Sequence, residues 1–187
     1  MRYFIGIDQA LQKIGLCVLS DQEEPPLLTL IRPSPKLRGT PRLLYLRDQM
    51  TEVLSPFKSS VAHAALEGQS YGSQGDLDQL GQINGIVQLV LADLGVDEPM
   101  IVPPATLKLF VTGSGAASKP RMRLLTQKTW GIDIDQDDLC DAHGLARMAQ
   151  EYILKRSTLR HQIQAVYSVY HQKKRKPPVR KVLPKAL

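Results

Sequence analysis

Two short apolar runs in this chain each stop at a carboxylate. Residues 1–8, MRYFIGID, close on Asp8, and residues 61–67, VAHAALE, close on Glu67. Their length and content read as buried strands. A carboxylate at the end of a buried strand is costly to desolvate unless a cation compensates it. No Lys or Arg adjoins either strand end in sequence, so the expected partner is a divalent metal ion. Two more acids, Asp138 and Asp141, stand three apart in a segment of helical periodicity. That spacing puts both on one helical face.

The segments around these acids define a layered fold. Residues 2–8 and 14–20 are β-rich and separated by a short polar turn, which predicts a hairpin, with 27–31 a third strand. The prolines between 33 and 41 mark a connector, and residues 41–57 place Leu43, Leu46, Met50 and Leu54 at helical spacing. Residues 62–66 form a central strand. Residues 76–94 are a strong helix with Leu80, Ile83, Val87 and Leu91 on its apolar face, and 100–102 a short strand before Pro103-Pro104. Helices are expected near 105–111, 119–129, 137–154 and 157–170. A hairpin followed by strand–helix alternation implies an α/β fold, a mixed sheet with helices on its faces. Sites in such sheets form at the carboxyl ends of strands, where Asp8 and Glu67 lie.

The chain has 187 residues, 43% of them apolar, enough for one domain with a substantial core. No apolar run approaches the roughly 20 residues needed to span a bilayer. No signal peptide is read at the N-terminus, and Cys17 and Cys140 have no metal-type spacing, so they read as buried free thiols of a reducing compartment. The net charge of +6 is concentrated at one end: residues 173–187 carry seven of the 24 basic residues, Lys173, Lys174, Arg175, Lys176, Arg180, Lys181 and Lys185, and no acid. The remainder is close to neutral. This proline-containing tail is expected to be disordered and to grip phosphates without regard to sequence.

An all-oxygen ligand set with no His or Cys suits Mg²⁺ or Mn²⁺. Two such ions about 4 Å apart can activate water, neutralise a phosphoryl group and stabilise its leaving oxygen. A cluster of like charges repels itself without metal, so its members should hold protons. Lys108 and Lys119 flank the Gly113/Gly115 loop and are candidates for phosphate contact. Tyr71, in a polar loop after Glu67, is a candidate to stack on an unpaired base.

The segments Ile5-Gly6-Ile7-Asp8, Leu66-Glu67, Leu80-Gly81-Gln82-x-x-Gly85, Gly113-x-Gly115-x-Ala117-x-Lys119 and Asp138-x-x-Asp141-Ala142 resemble, in order and spacing over residues 1–152, the RuvC family of Holliday-junction resolvases. The resemblance implies a ribonuclease-H-like five-stranded mixed sheet flanked by helices and an endonuclease that makes paired symmetric nicks in a four-way junction. It also implies dependence on Mg²⁺ or Mn²⁺, two ions per active site, and a cytoplasmic homodimer associated through the helix at 76–94. It gives Asp8, Glu67, Asp138 and Asp141 the role of metal ligands and makes Lys108 and Lys119 active-site lysines. Tyr71 falls near the family's junction-inserting aromatic. Residues 1–156 would be the nuclease domain, 157–172 a helical extension and 173–187 the basic tail.

The chain departs from the family pattern after the first strand, where Asp-Pro-Gly is replaced by Asp8-Gln9-Ala10, and at Pro120, which follows Lys119. A divergent or phage-type resolvase, active on a wider range of branched DNA, accommodates these differences. The competing readings are another ribonuclease-H-fold nuclease acting on branched DNA or RNA–DNA hybrid, and a non-cleaving nucleic-acid-binding module. Four acids facing phosphates would serve a pure binder badly. A sugar-kinase or actin-like protein would need a second phosphate loop and a longer chain.

Overall fold

The computed structural model describes residues 1–22, 24–68 and 77–172. Five strands form one sheet: β1 (Tyr3–Gln9), β2 (Ile14–Ser20), β3 (Leu27–Ile31), β4 (Val61–Glu67) and β5 (Met100–Val102). Their spatial order is β3-β2-β1-β4-β5. The first three pair antiparallel, whereas β4 lies parallel to β1 and β5 parallel to β4. The sheet is therefore mixed, as the element order implied.

Six helices cover it: α1 (Gly39–Leu54), α2 (Leu77–Asp93), α3 (Pro104–Thr112), α4 (Lys119–Trp130), α5 (Asp137–Leu154) and α6 (Arg160–Gln172). The first of them begins at Gly39, inside the stretch expected to be a connector, because Pro41 falls in the first turn, where its missing N–H has no intrahelical acceptor to lose. It ends at Leu54, and the expected continuation to residue 57 is a 3-10 turn, Ser55–Phe57. The helix expected at 76–94 is seen as α2, with Asp76 outside the described residues.

Strand alternation divides the interior into two cores. Ile5, Ile7, Leu16, Val18, Ala64 and Leu66 face Leu46 and Met50 of α1 and Ile83 and Val87 of α2. On the opposite face Phe4, Cys17, Leu19 and Ala65 pack with α3, α4 and α5. The last helix, α6, adds Ala165 and Val169 to that second core. Both faces of β1 are thus buried, which explains its near-continuous apolar sequence.

The seating of α5 depends on two glycines. A Cβ at Gly6 would lie 1.9 Å from the Ala142 carbonyl oxygen and 2.3 Å from the Ala146 nitrogen. A Cβ at Gly15 would lie 2.5 Å from the carbonyl oxygen of Asp138. The helix backbone therefore rests directly on the β1–β2 backbone, and no side-chain rearrangement can make room. At its far end, Gln150 Nε2 donates to the Ser20 carbonyl at 2.9 Å. Gly6→Ala should destabilise the protein by roughly 3 kcal/mol, read as a lower urea midpoint with an unchanged m-value. An unaltered midpoint would mean that α5 does not seat on β1 in this way.

Candidate functional site

The parallel register of β1 and β4 pairs Gly6 with Ala65 and Ile7 with Leu66. One step further puts Asp8 beside Glu67 at the carboxyl ends of neighbouring central strands, on strands about 4.8 Å apart. By alternation Asp8 shares the face of Phe4 and Gly6, and Glu67 that of Ala65, so both carboxylates point toward α5. Gln9 fixes this edge: its Nε2 donates to the Glu67 carbonyl at 3.1 Å. Gln9 thus ties the two strand ends together.

The other two acids arrive on α5. Asp138 lies in its first turn, against Gly15, and Asp141 one turn further. Asp8 is only 7% exposed. Burial pushes its carboxyl up to about 8, with the negative charges of Glu67 and Asp138 adding to the effect. A side-chain hydrogen bond between Asp8 and Glu67 raises the Asp8 carboxyl further and lowers that of Glu67. Burial, then the charge of Asp141, raises the Glu67 carboxyl. Asp141 is pushed up to about 7, chiefly by burial and next by the charge of Asp8. These couplings join the four expected acids into one electrostatic unit, and its self-repulsion is the one anticipated from sequence.

The expectation that no cation neighbours the strand ends is corrected. Lys13, in the β1–β2 turn, donates to Asp138 Oδ2 at 2.5 Å and opposes the upward shift of Asp8. The hairpin accounts for it: Ala10 N–H bonds to the Lys13 carbonyl at 3.0 Å, folding residue 13 back to the carboxylate end of β1. Sequence adjacency misses this contact, but carrying the hairpin register back from Ile14 toward its turn would have found it.

Lys108 and Lys119 both lie within electrostatic reach of Glu67 and act to lower its carboxyl. The Lys119 ammonium, whose side chain is 68% exposed, pairs with Asp137 at 3.2 Å. Arg123 also reaches Asp137, at 3.7 Å. Asp137 is therefore a fifth acid that the sequence reading passed over, positioning the lysine. Tyr71, Lys173, Lys174, Arg175 and Lys176 lie outside the described residues.

Among the described residues, no group of three or more His, Cys, Asp or Glu side chains is arranged to hold a metal ion. Asp138 is turned to Lys13 and Asp8 is hydrogen-bonded to Glu67. The donor chemistry nevertheless fits a hard divalent ion: four oxygen ligands, three of them with raised carboxyls that a cation would discharge. To hold an ion, Asp138 would have to leave Lys13 or use its second oxygen.

No family model matches the chain. Curated relatives do. Crossover junction endodeoxyribonuclease RuvC of Prochlorococcus marinus strain AS9601 is 28% identical over 151 residues, spanning 76% of this chain and 92% of the relative. The enzyme of the same name from strain MIT 9312 is 25% identical over the same shares. The chain is thus similar to RuvC at 25–28% identity across most of the relatives' length. Solved structures agree on the fold: Thermus thermophilus RuvC in complex with a Holliday junction substrate superimposes with a TM-score of 0.65 at 23% identity, over 78% of this chain and 91% of that one. A second T. thermophilus RuvC structure gives a TM-score of 0.65 at 20% identity, over 91% and 96%. The five-stranded mixed sheet flanked by helices that the resemblance implies is therefore the fold the chain has.

The raised carboxyls have a consequence for stability. Asp8 moves from 3.8 to about 8 and Asp141 from 3.8 to about 7 on folding. Between those limits the folded state retains protons that the unfolded chain has lost, so stability falls as pH rises from about 4 to about 8. In chelator, Asp8→Asn should raise the melting temperature by roughly 3–6 °C at pH 8 and by much less at pH 4.5. A gain of equal size at both pH values would disconnect the effect from titration.

Proposed function

We propose that this RuvC relative is a metal-dependent endonuclease that resolves four-way DNA junctions by paired nicks. The observation that supports it most is the convergence of Asp8, Glu67, Asp138 and Asp141 where α5 meets the ends of β1 and β4 on a RuvC-like fold. These four carboxylates would hold Mg²⁺ or Mn²⁺. Bound there, the ions supply an activated water and charge neutralisation at the leaving oxygen. The chain's own contribution is to hold the carboxylates in a buried, low-dielectric setting and to present Lys119 and Lys108 to the phosphate. Residues 1–156 serve as the nuclease unit, 157–172 as its helical extension and 173–187 as a sequence-independent grip on DNA. Tyr71 stacks on a base at the junction. No helix among the described residues is long and apolar enough to cross a membrane, and the two free cysteines are buried. The protein acts in the cytoplasm, at the nucleoid, or in the host cytoplasm if phage-encoded.

Cleavage of a four-way junction, a fork, linear duplex and an RNA–DNA hybrid should be compared in Mg²⁺. Symmetric nicks in the junction are expected. Asp8→Asn should lower cleavage at least 10²-fold while junction binding in chelator persists. Cutting of the hybrid alone would favour a ribonuclease instead.

Two cuts related by junction symmetry call for two active sites, hence a two-fold dimer. The helix proposed for that contact, α2, turns Gly81 and Gly85 outward with open space around them and leaves Leu89 63% exposed. These residues share one face at four-residue spacing, which allows close helix approach. Light scattering should give twice the chain mass, and Leu89→Asp should yield a folded monomer that nicks one strand at a time. A monomeric parent protein would remove this part of the proposal.

A further inference from the structure

Beside the carboxylate centre lies a shallow basin of about 450 Å³, lined by Lys13, Leu30, Arg32, Lys119, Gln136, Asp137 and Asp138. Three cations here face two carboxylates. Lys13 is held on Asp138 and Lys119 on Asp137, but Arg32, exposed just after β3, makes no ion pair among the described residues. The β2–β3 ladder pairs Ile14 with Ile31, so one step beyond it Lys13 and Arg32 stand opposite each other. Like charges directly across strands are destabilising, and nothing in the packing of the hairpin requires an arginine there. An anion seated between them would turn the repulsion into attraction.

We propose that Lys13 and Arg32, together with Lys119, form a phosphate-binding subsite for the DNA backbone beside the carboxylate centre. The proposal rests on the nuclease reading above and names the part of the surface that receives the strand next to the scissile bond. Asp138 accepts only one of the three ammonium donors of Lys13, leaving two for a phosphodiester. Arg32 can offer two parallel N–H groups to the same phosphate. The carboxylate of Asp138 thereby serves as the positioning partner of a DNA ligand as well as a member of the acid cluster. Because Lys13 sits in the turn that follows Asp8, the subsite and the reaction centre share one rigid hairpin.

The test measures binding of the full chain to a fluorescent four-way junction in chelator, where cutting is suppressed, across 50–300 mM salt. Lys13→Ala and Arg32→Ala should each reduce the slope of log K against log salt by about one, and the double variant by about two. Lys13→Arg should restore the parent slope. Lys58→Ala, at the opposite end of the sheet before β4, should leave it unchanged. Parent slopes in both alanine variants, with a parent protein that binds and cuts junctions, would overturn the subsite and leave the nuclease reading intact. Weaker binding at an unchanged slope would overturn it too, since Lys13 would then only be holding Asp138. A parent protein that neither binds nor cuts would defeat the nuclease reading itself, and the subsite with it.

Discussion

The structure depends on the direct contact between the α5 backbone and the backbones of β1 and β2. A helix normally stands off a sheet by the thickness of two side-chain layers. Here Gly6 and Gly15 remove one of them, and the Ala142 carbonyl and Asp138 backbone occupy the space a Cβ would need. The candidate site follows from that proximity. It brings carboxylates from a helix late in the chain within reach of carboxylates on the first and fourth strands, and it buries them enough to matter electrostatically.

Burial of several acids in one place is unfavourable on its own. The fold handles this in two ways. Its carboxyls are raised, so they hold protons more readily, with Asp8 hydrogen-bonded to Glu67, and cations stand at its margin, with Lys13 on Asp138 and Lys119 on Asp137. A divalent ion would replace the protons, and a phosphate would find the cations already oriented. The acids and bases of the site are therefore one arrangement, in which each sign of charge is placed by the other. A second concavity, of about 820 Å³, lies at the other end of β2, where Ser20, Phe110, Trp130 and Arg147 contribute to its walls. It is larger but holds none of the four acids.

Much of this was legible in the sequence because strands and helices announce themselves by apolar period, and all five strands and six helices fall close to their expected places. Adjacency of β1 and β4 was the condition for Asp8 and Glu67 to converge, and the two strands pair, in parallel. Less legible was anything that depends on turns. Helix α1 starts at Gly39, two residues before the expected start at Pro41, because proline is tolerated in a first helical turn. Lys13 escaped notice because it is five residues from Asp8 along the chain and becomes its neighbour only when the hairpin closes. Asp137 was overshadowed by the adjacent Asp138, since two consecutive acids at a helix start look alike until their partners are known. The role of Gly6 was visible as part of a motif, whereas its reason, a helix backbone less than a van der Waals contact from any added carbon, is purely tertiary.

Helix α5 is also pinned at both ends. Lys13 holds Asp138 at one end and Gln150 grips the Ser20 carbonyl at the other, while the glycines fix its height above the sheet. Twelve residues separate those two attachment points, about 18 Å of helix, so the helix is held like a beam on two supports with a rest between them. A beam mounted in that manner resists sliding along its axis and rotation about it, even when one support is lost. Changes in the loops around the site can then accumulate without disturbing the spacing of the four carboxylates.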